Sequence, residues 1–181
     1  PSADTFFESM DHVDYYEDIY VGYRWFNTMK GAAEKVVYPF GYGLSYTTFK
    51  TELIGADEKV NCKVKNKKCF GHLTFDVKVT NTGDYSGKEV VGIYVSKPND
   101  PENGLGNPAR ELIAFKKTAL LAPGESQNLL LKVRVKDLAS YDDIGKIQKS
   151  AWILQKGTYR FFLGINSQTA EEIGFTHQEK E

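Results

Sequence analysis

Little in this chain offers metal or redox chemistry. Two cysteines, Cys62 and Cys69, and three histidines, His12, His72 and His177, are spread over 181 residues. There is no CxxC pair and no Cys/His cluster, which excludes the common zinc signatures. No cofactor is expected either. The scattered histidines read as surface or loop residues. An excess of one charge is also lacking: 23 Lys+Arg against 24 Asp+Glu give a net charge of -1. Nucleic acid or an anionic membrane surface would need a basic excess, so neither is expected as a partner. No apolar run approaches the roughly 20 residues of a membrane span. No basic-then-apolar start marks a signal peptide, and Pro1 rather than Met opens the chain, as in an excised piece. Asn-x-Ser/Thr acceptors are absent, so nothing suggests N-glycosylation. Sustained helical periodicity and βαβ alternation are missing as well.

The cysteines bracket Lys63-Val64-Lys65-Asn66-Lys67-Lys68. If that stretch is a hairpin turn, the two thiols face each other and can bridge. In a reducing compartment they stay free. The lysine-rich tip itself reads as a solvated loop rather than a basic binding patch.

Aromatic residues are abundant and unevenly placed. Of 11 Tyr, 11 Phe and 2 Trp, thirteen fall in the first 49 positions. Each such ring buries about 150–250 Å² when covered. A segment this short cannot hide so much surface within itself. It must lie on the rest of the chain, on another domain, or on a partner.

From about residue 44 the pattern changes to period two. Leu73, Phe75, Val77 and Val79 alternate with Thr74, Asp76, Lys78 and Thr80, the mark of a half-buried strand. Asn81-Thr82-Gly83-Asp84 is a turn cluster. Val90, Val91, Ile93, Tyr94 and Val95 form a more apolar, hence central, strand. Pro98 to Pro108 is a long exposed loop, and Leu112 to Leu121 gives a strand pair or one bent strand. Leu129, Leu131, Val133 and Val135 alternate again; Asp137 to Asp143 reads as a short helical turn or loop. Trp152-Ile153-Leu154, and Tyr159 with Phe161, Leu163 and Ile165, complete six to eight short strands. Such spacing suggests an all-β fold, an antiparallel sandwich of the immunoglobulin or fibronectin type III kind.

One motif stands between the two regions: Tyr38-Pro39-Phe40-Gly41-Tyr42-Gly43-Leu44-Ser45-Tyr46-Thr47-Thr48-Phe49. Pro39 biases Tyr38 toward extended geometry, and Gly41 and Gly43 permit angles and approaches that a β-carbon forbids. With Glu17 to Phe26 upstream, this stretch resembles the junction of glycoside hydrolase family 3. There an α/β sandwich domain is joined to a C-terminal fibronectin type III-like domain. Val79-Thr80-Asn81-Thr82-Gly83, Ser86 to Val91, Arg110-Glu111-Leu112 with Phe115-Lys116-Lys117, and Leu121 to Ser126 look like that domain, in the family's order.

The resemblance implies a division of the chain. Residues 1–43 are a connecting segment and 44–181 a fibronectin type III-like β-sandwich, which makes the segment irregular and aromatic-rich. It also implies a parent that cleaves O-glycosyl bonds, a β-glucosidase or β-xylosidase. Such enzymes retain configuration with two carboxylates about 5–5.5 Å apart. The family's nucleophile is an Asp on a separate barrel domain, and neither catalytic motif matches a position here. The expected partners are therefore the barrel and α/β sandwich domains of the same parent, whose substrate is a glycoside or oligosaccharide. Asp11, Asp14, Glu17 and Asp18 crowd one region but read as a solvated loop. No residue here is expected to be catalytic. Tyr20, Tyr23, Arg24, Trp25, Phe40, Tyr42 and Tyr46 are the candidates for interdomain packing or sugar contact; the alternative readings of the chain are a carbohydrate-binding module using exposed aromatics and a free-standing fibronectin type III-like interaction module. Arg24, set among rings, is expected to stack and to pair with a carboxylate.

Overall fold

A computed structural model describes residues 11, 16–63, 68–100, 102 and 104–179. Nine strands are present among them: β1 (Phe49–Lys63), β2 (Lys68–Asn81), β3 (Val90–Ser96), β4 (Glu111–Lys117), β5 (Ser126–Arg134), β6 (Ser140–Asp142), β7 (Ala151–Ile153), β8 (Gly157–Gly164) and β9 (Glu171–Glu179). They form a three-stranded sheet ordered β1-β2-β5, a four-stranded sheet ordered β4-β3-β8-β9, and the small pair β6-β7. Every pairing is antiparallel.

The alternation read from the sequence is what closes the sandwich. Leu73, Phe75, Val77 and Val79 of β2 and Leu129, Leu131 and Val133 of β5 form one inner face. Val91, Ile93 and Val95 of β3, with Tyr159, Phe161 and Leu163 of β8, form the other. All belong to one buried cluster. In β2 and β5 the residues between them reach water at least in part, as strands with one core face require.

The four-stranded sheet is covered on its outer face too. Tyr94 of β3 stands opposite Leu112 of β4 and Phe162 of β8. Tyr94, Phe162 and Ala170 make a second buried cluster, with Leu112 packed against it. This accounts for the unbroken apolar run in β3, which the register places in the sheet interior.

Several details differ from the sequence reading. Leu112 to Leu121 holds one strand, β4; Leu121 makes only an isolated bridge to Gly87. Asp137 to Asp143 spans the end of a 3-10 turn at Val135–Leu138 and then β6. Cys62 and Cys69 are backbone partners in the β1–β2 ladder. His177 is not a surface residue. It lies on β9 with 2 % exposure, its Nδ1 2.9 Å from Glu58 Oε1 and its Nε2 3.2 Å from Glu179 Oε2. Because Glu58 is on β1, this contact fastens the open side of the sandwich between its two sheets.

Asp142 ends β6 and shapes the loop that follows. Its Oδ1 accepts N–H bonds from Gly145 and Lys146, and its Oδ2 from Ile147 and Gln148, at 2.7 to 3.0 Å. Burial pushes the carboxyl up, but the four donors together outweigh it and hold the carboxyl below its ordinary value. The charged form is therefore favoured by folding. The stabilisation is complete above the ordinary carboxylate range and is lost as pH falls through the lower native value. Asp142→Ala should remove hydrogen-exchange protection from those four amides at neutral pH, while wild-type protection fades only in strong acid. Equal protection in the variant would refute this role.

Candidate functional site

The segment before β1 is bolted to the sandwich by a few long-range polar contacts. Gly22, at φ 60, turns the chain into a six-residue helix, α1 (Tyr23–Thr28), that has no side-chain cap. A helix this short is marginal alone and is held by what it touches. Tyr23 Oη accepts the Leu112 N–H at 2.8 Å. Arg24 Nη2 meets Glu111 Oε1 at 2.9 Å, and the other carboxylate oxygen meets Lys97 Nζ at 3.0 Å. Lys97, 8 % exposed, also donates to Ala139 O. Thr28 Oγ1 accepts the Ala109 N–H at 2.9 Å. The expected carboxylate partner of Arg24 is thus Glu111, 87 residues away. Arg24 itself is only half-buried.

The Pro39 turn is the second fastening point. Tyr42 N–H donates to Pro39 O at 2.8 Å, and Gly41 takes φ 92, the sign a type II turn needs at its third residue. A β-carbon at Gly41 would run into Ile165 O. Ser167 N–H donates to Phe40 O at 2.9 Å, so the turn is pinned to the β8–β9 loop. Gly43 differs from the sequence expectation: a β-carbon there would meet open space.

The candidate rings separate into two groups. Tyr20, Tyr23 and Trp25 are half-buried against their surroundings. Tyr23 stacks on Phe40 with centroids 4.4 Å apart, Trp25 meets Phe26 edge-on, and the Tyr20 hydroxyl lies beside Gly106. Phe40, Tyr42 and Tyr46 instead face outward, with Val37, Tyr38 and Leu44. Leu44 is 90 % and Tyr46 95 % exposed. Six large apolar residues between 37 and 46 are exposed, Phe40 and Tyr42 by about half and the others more, which is more than scattered surface hydrophobics explain.

The carboxylates with assigned contacts are engaged structurally. Glu111 is shared by two cations, Asp142 by four amides, and Glu58 and Glu179 flank His177. Asp14 lies outside the described residues. Among the described residues no group of three or more His, Cys, Asp or Glu could hold a metal, and no helix is long and apolar enough to cross a membrane. Burial pushes the Tyr94 phenol up to about 12, with the Tyr23 phenol adding and Arg110 opposing. That ring is a neutral packing element.

Sequence reasoning missed Ser167, Gln168 and Asn27, which line the space beside α1. Nothing in their local sequence signals it. Arg110 and Glu111 were legible only as part of a family motif.

A seven-stranded sandwich in a three-plus-four arrangement, with a fastened aromatic segment and an uncovered apolar face, defines an accessory module of the fibronectin type III-like class. The model of the fibronectin type III-like domain family matches residues 89–167. The chain is 46% identical over 183 residues to β-glucosidase A of Butyrivibrio fibrisolvens, covering 98% of this chain and 22% of that protein. A solved β-glucosidase from Paenibacillus barengoltzii superposes with a TM-score of 0.86 at 42% identity, covering 97% of this chain and 18% of that one. The GH3 β-glucosidase of Bifidobacterium adolescentis gives 0.70 at 30% identity, covering 94% and 22%. The chain spans only about a fifth of the length of these relatives. It matches the C-terminal fibronectin type III-like region of these family 3 glycoside hydrolases.

Proposed function

We propose that this module belongs to a parent enzyme that hydrolyses O-glycosyl bonds, a β-glucosidase or β-xylosidase. In that enzyme it packs on the barrel and α/β sandwich domains and stabilises them. Residues 1–43 then serve as the connecting segment and 44–181 as the sandwich proper. The observation that carries the reading is the uncovered face from Val37 to Tyr46. Water contact for so many large apolar groups is costly unless a neighbouring surface removes it. The module contributes no catalytic pair, so its effect on turnover is through the shape and rigidity of the domains it touches.

Tyr46→Lys separates docking from folding. Tyr46 is almost wholly exposed here, so the 181-residue chain should keep its melting temperature. In the longer enzyme the same change should cost about 2 kcal/mol of stability, the value of one buried large side chain. Thermal inactivation should speed up accordingly. The chain alone should not hydrolyse p-nitrophenyl β-D-glucopyranoside. Unchanged stability in the longer enzyme would remove the docking role.

A further inference from the structure

The inner stripe of β9 changes character along its length. Ile173 and Phe175 lie in or against the apolar core, and the next two positions of that stripe are His177 and Glu179. β1 does the same from the other sheet. Its Leu53 and Ala56 pack on the core, and Glu58 follows, opposite the buried Leu73. β1 and β9 are edge strands of different sheets. Where they meet at His177 the seam is polar, with a 2 % exposed imidazole at its centre. Each ring nitrogen meets a carboxylate oxygen. Nδ1 lies 2.9 Å from Glu58 Oε1 across the seam, and Nε2 lies 3.2 Å from Glu179 Oε2 on its own strand. From β8 the ring faces Tyr159, its ladder partner, 5.7 Å away. The Tyr159 hydroxyl donates to Gln155 O, and burial together with the Glu179 charge pushes the phenol up, so it stays neutral and supplies the imidazole with no proton.

A carboxylate can only accept, and a neutral imidazole has one N–H and one bare nitrogen. A neutral ring between two carboxylates therefore satisfies one of them and sets a lone pair against the other. Both contacts are favourable only when each holds a proton, whether that proton sits on nitrogen or on oxygen. We propose that Glu58, His177 and Glu179 form a proton-operated clasp on the open edge of the sandwich. It is closed when both contacts hold a proton and opens across the seam when one proton leaves. The remaining N–H stays with Glu179, whose side chain is 12 % exposed against 32 % for Glu58, because an unpaired carboxylate costs more the less water it reaches. Glu58 turns to solvent and the link between β1 and β9 is lost. At this end β9 is then left to its ladder with β8, and a register shift between Arg160 and Phe161 sets these last pairs apart from the remainder. The contribution of the clasp is complete on the acid side of the titration of the triad and disappears as pH rises through it.

The test titrates the 181-residue chain with labelled histidine. Ring nitrogen NMR reads where the second proton leaves His177. Exchange of the Thr176, His177 and Gln178 amides, corrected for the intrinsic effect of pH, reads opening of the β9 end in the same samples. The opening constant should rise about ten-fold or more with the midpoint of the ring titration, the size of one charge-assisted hydrogen bond. Contacts from the ring to the Glu58 side chain in the nuclear Overhauser spectrum should vanish over the same step. In Glu58→Gln the amide can serve either form of the ring, so the step in opening should be lost while the ring still titrates. This position is the more exposed of the two, so the variant does not depend on tolerance of a change at His177 itself. An opening constant that stays level through the ring titration would overturn the proposal. So would a step that Glu58→Gln leaves intact, or a neutral ring that keeps its contacts to Glu58.

Discussion

Replacing Phe75 by alanine is expected to cost about 3–5 kcal/mol, in the upper part of the range for core positions. The ring is fully buried in the centre of the sandwich. It lies 5.2 Å from the Phe161 ring and 5.6 Å from the Phe175 ring, so β2, β8 and β9 all lose contacts together. Relaxation is hindered as well. Phe75 is paired to Ala56 of β1 on one side and Leu131 of β5 on the other. With both neighbours in register, β2 cannot move inward to fill the void. Urea denaturation checks this: the midpoint should fall while the slope with denaturant stays constant. A loss below about 1 kcal/mol would mean that the centre is not close-packed.

Asn81→Ala should be of similar size, although the change removes little apolar surface. Asn81 is completely buried where β2 ends. Its Oδ1 accepts from Thr47 Oγ1 at 2.6 Å and from Gly83 N–H at 3.1 Å. Its Nδ2 donates to Tyr85 O at 2.8 Å and Leu121 O at 2.9 Å. Four separate chain positions are thus held by one side chain. Leu121 O keeps the Gly87 N–H, but Thr47 loses its partner in a buried site, and Gly83 N–H and Tyr85 O lose theirs in a partly buried one. Two or three orphaned groups at roughly 1–3 kcal/mol each give about 3–5 kcal/mol. Gly83 adds to the constraint, since a β-carbon there would strike Thr47 Oγ1. Thermal unfolding measures the loss, and hydrogen exchange at Gly83 and Leu121 shows whether this corner opens first. A variant as stable as the wild type would show that water replaces the amide without penalty.

The strands that could be read from the sequence are those with one wet and one dry face. β2 and β5 alternate cleanly because each turns one face to the core and the other to water, β5 doing so even at the edge of its sheet. β3 is legible for a different reason: both of its faces are covered, so it reads as continuous apolar sequence. Two of the four edge strands of the sandwich, β1 and β9, escaped. In β1 a register shift between Leu53 and Gly55 resets the alternation, and much of the strand is only half-buried. In β9 the inward residues Ile173, Phe175 and His177 do keep period two, but glutamates surround them and the histidine looks polar. α1 has no helical signature at all, because six residues without a cap take their shape from Glu111 and Leu112 far along the chain.

The functional face was legible in part. An aromatic excess in the first quarter shows that the rings must be covered by the rest of the chain, by another domain or by a partner. It does not say what covers which ring, since that depends on partners 80 or more residues away, as for Tyr23 and Arg24.

The doubly covered sheet also bears on how such modules move between proteins. Tyr94, Phe162 and Leu112 are lidded on the outside by elements that include material upstream of the first strand. A recombination event that carried off the sandwich alone would leave this greasy outer layer bare, and the transplanted piece would clump. The heritable unit is the lid together with the sandwich it covers, so splice points in chimeric hydrolases belong before Tyr20 rather than at the start of β1.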